Sequence, residues 1–347
     1  MKALIMKEYM KLEYTDVEMP KIKDNEVLVK IMAVSVCGSD IHGIDGKSNR
    51  RQVPIIMGHE ASGMITEAGA KVTEFKPGDR VTFDSTIYCG RCEFCRKGQL
   101  NLCDYRKVYG VSCDDYRQHG AYCEYLAVPE HILYKIGDHV SYQEAALVEP
   151  MSVALHAINL LNLTSSDTVV IFGTGTIALF AVQFFKLRNC GNLIVVGRND
   201  KKLLLAQKLG ADSVINLKKV NVSTAIMELT GGQGTDYGYD AAGAQSTFHM
   251  GIASLKKGGT LVTLANLDKK FELDIASVIT KQLTIKGSCA SSGEYKEILD
   301  LLEKGLLKTN YVISKQLPLS EAADFIIKLH NKEITDFNKL ILVTDPK

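Results

Sequence analysis

The stretch TVVIFGTGTIALFAVQFF, residues 168–185, changes its period midway, and that change decides how the chain is read. TVVIF has the length and β-branched character of a buried strand, and the residues after Gly175 have the length of a buried helix. Its apolarity raises the question of a membrane span. Gly173 and Gly175 interrupt the run, so a strand turning into a helix explains it better. Gly173-x-Gly175-x-x-Ala178 allows a tight turn and close approach of a pyrophosphate to the N–H groups of Thr176 and Ile177, while Ala178 permits close helix–strand packing. Between a strand and a helix, this spacing predicts a dinucleotide site.

Outward from that turn the same rhythm continues through LIVVG, the helical KKLLLAQKLG, SVIN, a helix near Ala225, YGYDA, a helix near Phe248 and TLVTL. Strands alternating with helices predict a doubly wound parallel sheet, the Rossmann arrangement. On the N-terminal side the pattern is short β-type runs such as EVLVKIMAVSV and ASGMITEAG, punctuated by Gly and Asp turns. After Gly287, EYKEILDLLEKG and SEAADFIIKLH lead to a last strand, KLILV, expected to return to the first domain. The fold class is therefore α/β, with a mostly-β domain of residues 1–153 and 291–347 and a dinucleotide-binding domain of residues 154–290. At 347 residues, two cores of this size need no disulfide support.

A composition of 46% hydrophobic and 23% charged residues excludes a disordered chain. With 41 Lys plus Arg against 40 Asp plus Glu, the net charge of +1 leaves no broad electrostatic footprint for nucleic acid or an anionic membrane. Partners are expected to be small molecules. The start, MKALIMKEYMKLEY, lacks the uninterrupted apolar core of a secretory signal, so a cytoplasmic location is expected.

Four of the nine cysteines lie in Cys89-x2-Cys92-x2-Cys95-x7-Cys103, a spacing that wraps one ion tetrahedrally in thiolates. The bacterial iron–sulfur run has a three-residue last gap followed by Pro, whereas here the gap is seven and Asp104 follows, so zinc is preferred. Filled by four protein ligands, such a site is structural. A second set comprises Cys37 in VCGSDIH, His59–Glu60 in GHEASG and Glu149 in LVEPMSVALHA. A thiolate, an imidazole and a carboxylate are the ligands of a zinc centre that keeps one position open. Singly, a buried Cys packs and a lone His is a satisfied polar group; together the three elements point to a metal.

The order CGSDIH, GHE, GDRV, four-Cys loop, EP, Gly-rich turn and C-terminal return resembles the zinc-dependent medium-chain alcohol dehydrogenases along nearly the whole chain. GHE followed by EPMSVALHA is most similar to their polyol branch, which includes sorbitol and galactitol-1-phosphate dehydrogenases. The resemblance implies a GroES-like fold for the mostly-β domain and a catalytic zinc at Cys37, His59 and Glu60. Glu149 is then either a direct ligand or the holder of a zinc-bound water. Zinc with one thiolate and one carboxylate is neutral, while both glutamates would leave −1 and make a bound alcohol harder to deprotonate, so the two are not expected to bind tightly at once. The implied chemistry is a substrate hydroxyl acidified by zinc, with hydride passing to a nicotinamide. Ser39 and His42 match the family's proton relay, which passes through a cofactor ribose hydroxyl. His156, Cys113, Cys123, Cys190 and Cys289 are assigned to packing.

An NAD site usually has Asp or Glu ending the second strand. Here LIVVG ends in Gly197 and Arg198 follows, so a guanidinium stands where a carboxylate would repel a ribose phosphate. NADP is expected to be favoured over NAD, with Lys201 or Lys202 assisting. The substrate is expected to be a polyol or sugar-alcohol phosphate, or the ketose in reverse. Lys47, Arg50 and Arg51, in the loop before GHE, either meet a substrate phosphate or form a solvated face. Related readings are a threonine or simple secondary-alcohol dehydrogenase. From another class comes a non-catalytic zinc and nucleotide sensor of redox state, against which the open metal set and relay residues speak. The resemblance further implies two zinc ions per chain and a homodimer or homotetramer.

Overall fold

The structure, a computed structural model, describes residues 1–113, 115–265, 268 and 270–344. It divides into two compact units, Met1–Pro150 with Ser292–Lys347, and Met151–Ser291. Among the described residues no helix is long and apolar enough to cross a membrane.

The first unit is built on a seven-stranded sheet. Its path runs Leu133–Lys135, Arg80–Phe83, Glu60–Ala68, Glu26–Ser35, Lys339–Val343, Ile313–Pro318, and Tyr125–Pro129 also pairs with Glu26–Ser35. The long central strand owes its place to a nearly unbroken apolar run, with Val27, Val29, Ile31 and Val34 all buried. Its C-terminal end fixes the site. Ser35 lies opposite Glu60 on one neighbour and opposite Ile341 on the other, so Cys37, His59, Glu60 and Lys339 arrive at the same end of three adjacent strands. The C-terminal helix Ala322–His330 buries Ala322 and Ile326 in this core, and KLILV pairs within its sheet, so the tail returns as expected.

The second unit holds six parallel strands in the order Ser213–Asn216, Asn192–Gly197, Thr168–Phe172, Thr235–Asp240, Leu255–Thr263, Thr284–Gly287. Numbered along the chain, that is 3-2-1-4-5-6, the order of a Rossmann domain. Thr168–Phe172 is central, with Val169, Val170, Ile171 and Phe172 wholly buried, which is why it reads as a continuous apolar run. Thr176–Leu187 packs nearly all round, burying Ala178 through Phe185. Apolarity on every face is the mark of a helix inside a protein, and it accounts for the membrane-like look of this segment.

Of the cysteines assigned to packing, Cys123 and Cys190 are buried. Cys113 is half-buried and Cys289 exposed, so for Cys289 the packing assignment is corrected: it sits in the loop just past the edge strand Thr284–Gly287. His156 is half-buried on its helix.

Candidate active site

Cys37 caps the short helix Gly38–Gly43, its Sγ accepting from Ser39 N at 3.4 Å and from Ser39 Oγ at 3.2 Å. His59 and Glu60 follow Gly58, which has φ +90°, and an added Cβ there would lie 2.4 Å from the Tyr122 ring. Both the backbone and the neighbour therefore require glycine at the head of GHE. The donor atoms of Cys37, His59 and Glu60 all lie within 4.8 Å of one another.

Glu60 is 1% exposed and accepts from Lys339 Nζ at 2.6 Å and from the Ser35 hydroxyl. Lys339 is 3% exposed and also donates to Val36 O at 3.1 Å. Burial would depress a lysine, yet Glu60 and Cys37 beside it hold its pKa above the usual value. Glu149 stands outside the three-ligand group. Its Oε1 accepts from Ser85 Oγ at 2.9 Å, and burial raises its carboxyl to about 7 against the opposing pull of His59. Burial and then the Glu60 charge push the Cys37 thiol up to about 12. A thiolate in this setting requires a compensating cation, and the donor set of S, N and O suits zinc.

His59 Nδ1 faces Asp40 Oδ2 at 3.5 Å and makes no hydrogen bond. With a carboxylate on the Nδ1 side, the other ring nitrogen is the candidate metal ligand. Asp40 is wholly buried, held by Arg51 Nη2 at 2.7 Å and Tyr122 Oη at 3.0 Å. Burial would raise Asp40, but His59, Arg51 and Tyr122 together bring it below the ordinary carboxylate range, so it stays ionised. Ser39 Oγ faces Cys37. His42 is on the exposed side, where burial of its ring, His330 and Lys332 lower its pKa, and no hydrogen bond joins it to Ser39.

The four thiols Cys89, Cys92, Cys95 and Cys103 form a second group, all within 4.8 Å of one another. Backbone N–H groups of Arg91 and Cys92 donate to Cys89 Sγ at 3.5 and 3.3 Å, and those of Cys89 and Tyr105 to Cys103 Sγ at 3.3 and 3.4 Å. Donors aimed at sulfur favour the thiolate and take Cys89 down to about 6. With all four positions supplied by protein, this arrangement leaves no place for substrate.

At the turn after Thr168–Phe172, Gly173 has φ +119° and Gly175 is the extended N-cap of Thr176–Leu187, without a side-chain cap. An added Cβ at Gly175 would meet nothing within 4 Å, so packing does not explain the glycine, while a closely approaching phosphate does. Gly197 has another reason: a Cβ there would lie 2.6 Å from Thr174. Arg198 is exposed at the strand end, and Asp200, two residues on, is bound by Lys219 at 2.7 Å and Asn216 at 2.7 Å. Lys202 is half-buried, its backbone N–H capped by Asn199 at 3.2 Å.

With this geometry in view, comparison with known proteins is direct. Residues 23–138 match the alcohol dehydrogenase GroES-like domain and residues 176–304 the zinc-binding dehydrogenase domain. The D-arabitol-phosphate dehydrogenase of Enterococcus avium is 33% identical over 90% of this chain and 89% of its own. The chain belongs to the zinc-binding alcohol dehydrogenase family. It is thus an oxidoreductase acting on CH–OH groups. The sorbitol dehydrogenase of Bacillus subtilis (strain 168) is 31% identical over 93% of this chain and 92% of its own. A zinc-binding dehydrogenase of Sinorhizobium meliloti 1021, solved bound to NADP, superimposes with a TM-score of 0.91 at 28% identity, covering 99% of this chain and 98% of its own.

Residues not singled out from the sequence line the candidate metal site. Asp40 lies within the CGSDIH motif, where a carboxylate near a candidate ligand histidine is a usable signal. Lys339 and Ser85 carry no such signal, since only strand register and helix packing bring them in. Arg51 is 3% exposed and committed to Asp40, which removes it from the loop residues offered to a substrate phosphate; Lys47 pairs with Asp45 at 2.8 Å.

Proposed function

We propose that this chain is a zinc- and nicotinamide-dependent dehydrogenase acting on a secondary alcohol of a polyol or sugar-alcohol phosphate, or on the corresponding ketose in reverse. The carrying observation is the meeting of Cys37, His59 and Glu60 within 4.8 Å, beside a Glu149 turned to Ser85. The relatives named for polyol and polyol-phosphate substrates support the substrate class.

In this reading residues 1–153 and 291–347 are the catalytic zinc domain and residues 154–290 the dinucleotide domain. Cys37 and His59 hold the catalytic zinc with Glu60 or Glu149, and Cys89, Cys92, Cys95 and Cys103 hold a structural one, two ions per chain. When bound, the zinc supplies Lewis acidity toward a substrate hydroxyl and the nicotinamide takes up hydride. Asp40 keeps His59 oriented. Ser39 Oγ, 3.2 Å from the Cys37 sulfur, and His42, on the exposed side with a lowered pKa, would carry the hydroxyl proton toward water, Ser39 giving up its own proton as it takes the substrate's and a ribose hydroxyl of the bound cofactor linking the two side chains. Lys339 balances Glu60.

Gly173, Gly175, Thr176 and Ile177 receive the pyrophosphate. Arg198, with Lys201 or Lys202, receives a ribose phosphate, so NADP is preferred over NAD; the nearby Asp200 stays ionised, but its ion pair with Lys219 partly offsets its charge. A homodimer or homotetramer working in the cytoplasm completes the reading.

The test follows nicotinamide absorbance with NADP and then NAD against polyols, polyol phosphates, threonine and simple secondary alcohols, with and without a zinc chelator. Chelator-sensitive turnover with a polyol or its phosphate is the expected result. Turnover with threonine or a simple alcohol alone would replace the substrate class. No turnover across the panel, with zinc and cofactor bound, would refute the catalytic reading.

A further inference from the structure

Two of the candidate metal ligands have a helper, and both helpers meet one side chain. Asp40 stands behind His59 at 3.5 Å, and Ser39 Oγ stands at 3.2 Å from Cys37 Sγ. The Nη2 of Arg51 is 2.7 Å from Asp40 Oδ1 and 3.5 Å from Ser39 Oγ, while its Nη1 donates to Arg50 O at 2.9 Å. Arg51 comes from the loop between the two ligand motifs, not from the sheet that carries them. The residues on either side of it are clamped by buried Ser112: its N–H donates to Arg50 O at 3.2 Å, its hydroxyl donates to Gln52 O at 3.0 Å, and Gln52 N–H donates to that hydroxyl at 2.6 Å. The helix that starts at Cys37 ends in Gly43, where a Cβ would lie 2.9 Å from Arg51 Cγ, so the glycine makes room for the side chain.

A guanidinium buried to 3% exposure is costly, and for stability alone an apolar side chain of similar volume, with a neutral partner, serves as well. What an apolar residue does not supply is a planar guanidinium whose Nη2 holds the ionised Asp40 carboxylate and faces Ser39 while its Nη1, tied to Arg50 O, fixes the plane; its Nε has no hydrogen-bond partner. We propose that Arg51 is a positioning residue of the catalytic metal centre, orienting the His59 imidazole through Asp40 and the Cys37 thiolate through Ser39. The loop that precedes GHE is thereby tied to the coordination geometry. This inference rests on the proposal that Cys37 and His59 hold a metal.

The test uses the full chain with cobalt(II) in place of zinc, and reads the cobalt ligand-field bands together with zinc affinity in competition with a chromophoric chelator. Arg51→Gln is expected to weaken binding at this site about 10- to 100-fold and to shift its bands, while the four-Cys site keeps its thiolate charge-transfer intensity. Arg51→Lys keeps the charge and with it the fold, but lacks the planar guanidinium, and is expected to shift the same bands. If Arg51→Gln does not fold, Arg51→Lys decides. Wild-type bands and affinity in whichever folded variant is measured overturn the proposal, as does a lower melting temperature with unshifted bands, the mark of a purely structural role. A wild-type chain that fills the four-Cys site and shows no cobalt at Cys37 and His59 refutes the metal reading itself, and this proposal with it.

Discussion

Lys339→Met isolates the electrostatics of the candidate metal centre. Lys339 and Glu60 are 3% and 1% exposed and 2.6 Å apart, and a Glu60 carboxylate oxygen lies within 4.8 Å of the Cys37 sulfur. Removing one partner of a buried ion pair leaves an uncompensated charge and costs about 3–5 kcal/mol. The unit that carries the pair has roughly 200 residues, a size at which 1 kcal/mol moves Tm by about 2–4 °C. The metal-free variant should therefore melt about 6–20 °C below the metal-free wild type. Methionine fills most of the lysine volume, so little of this loss comes from a cavity. Zinc brings the missing positive charge, and the released Glu60 becomes a better ligand, so the loss should shrink when zinc is added and zinc affinity should rise. Turnover should fall, because a ligating Glu60 lowers the Lewis acidity of the ion and competes with the substrate hydroxyl. Calorimetric scans in chelator and in zinc give both differences. A metal-free Tm within about 2 °C of wild type, or the same loss with and without zinc, would refute this account of the pair.

Arg198→Ala should reduce the ratio of kcat/KM for NADP over NAD by about 10- to 100-fold, the worth of a charge-assisted hydrogen bond of about 1.5–3 kcal/mol; an unchanged ratio removes Arg198 from the cofactor site. Cys95→Ser should lower bound zinc from two ions to one per chain, with the loss confined to the four-Cys group; elemental analysis and retained cobalt bands at Cys37 check this. Asp84 is 1% exposed with an unpartnered Oδ2, and burial raises it to about 7 against an unfolded value of 3.8. In that window the folded state holds the extra proton, so this group's contribution to stability falls as pH rises from about 4 to about 7. Asp84→Asn keeps the acceptor for Thr86 N, now at 2.8 Å, and should raise Tm more at pH 8 than at pH 5; an equal effect at both would contradict the shift.

The dinucleotide half is the more legible part of this chain because its signals are local. A buried strand, two glycines and an apolar helix lie within eighteen residues, and TVVIF, LIVVG, SVIN and TLVTL all take their expected places in one parallel sheet. The four-Cys group is legible for the same reason, its ligands being near neighbours in sequence. The open metal set needed three motifs far apart to be read together. The structure brings Cys37, His59 and Glu60 together through the register of Glu26–Ser35 against Glu60–Ala68 and leaves Glu149 turned to Ser85. Lys339 stood in what reads as an ordinary final strand, and only its pairing with Glu26–Ser35 carries it to Glu60. By residue type Arg51 groups with Lys47 and Arg50 as one basic loop. Residue type could not separate a guanidinium directed inward at Asp40 from its solvated neighbour, because that depends on Ser112 and Gly43 shaping the loop around it.

The most direct test of the central claim is diffraction data collected on either side of the zinc absorption edge from crystals grown with NADP and a polyol. The account predicts two zinc peaks per chain, one among Cys89, Cys92, Cys95 and Cys103 and one at Cys37 and His59, the latter with only one of Glu60 and Glu149 at about 2.0–2.2 Å. A single peak at the four cysteines, or both glutamates bound at that distance with no position left for a hydroxyl, would contradict it.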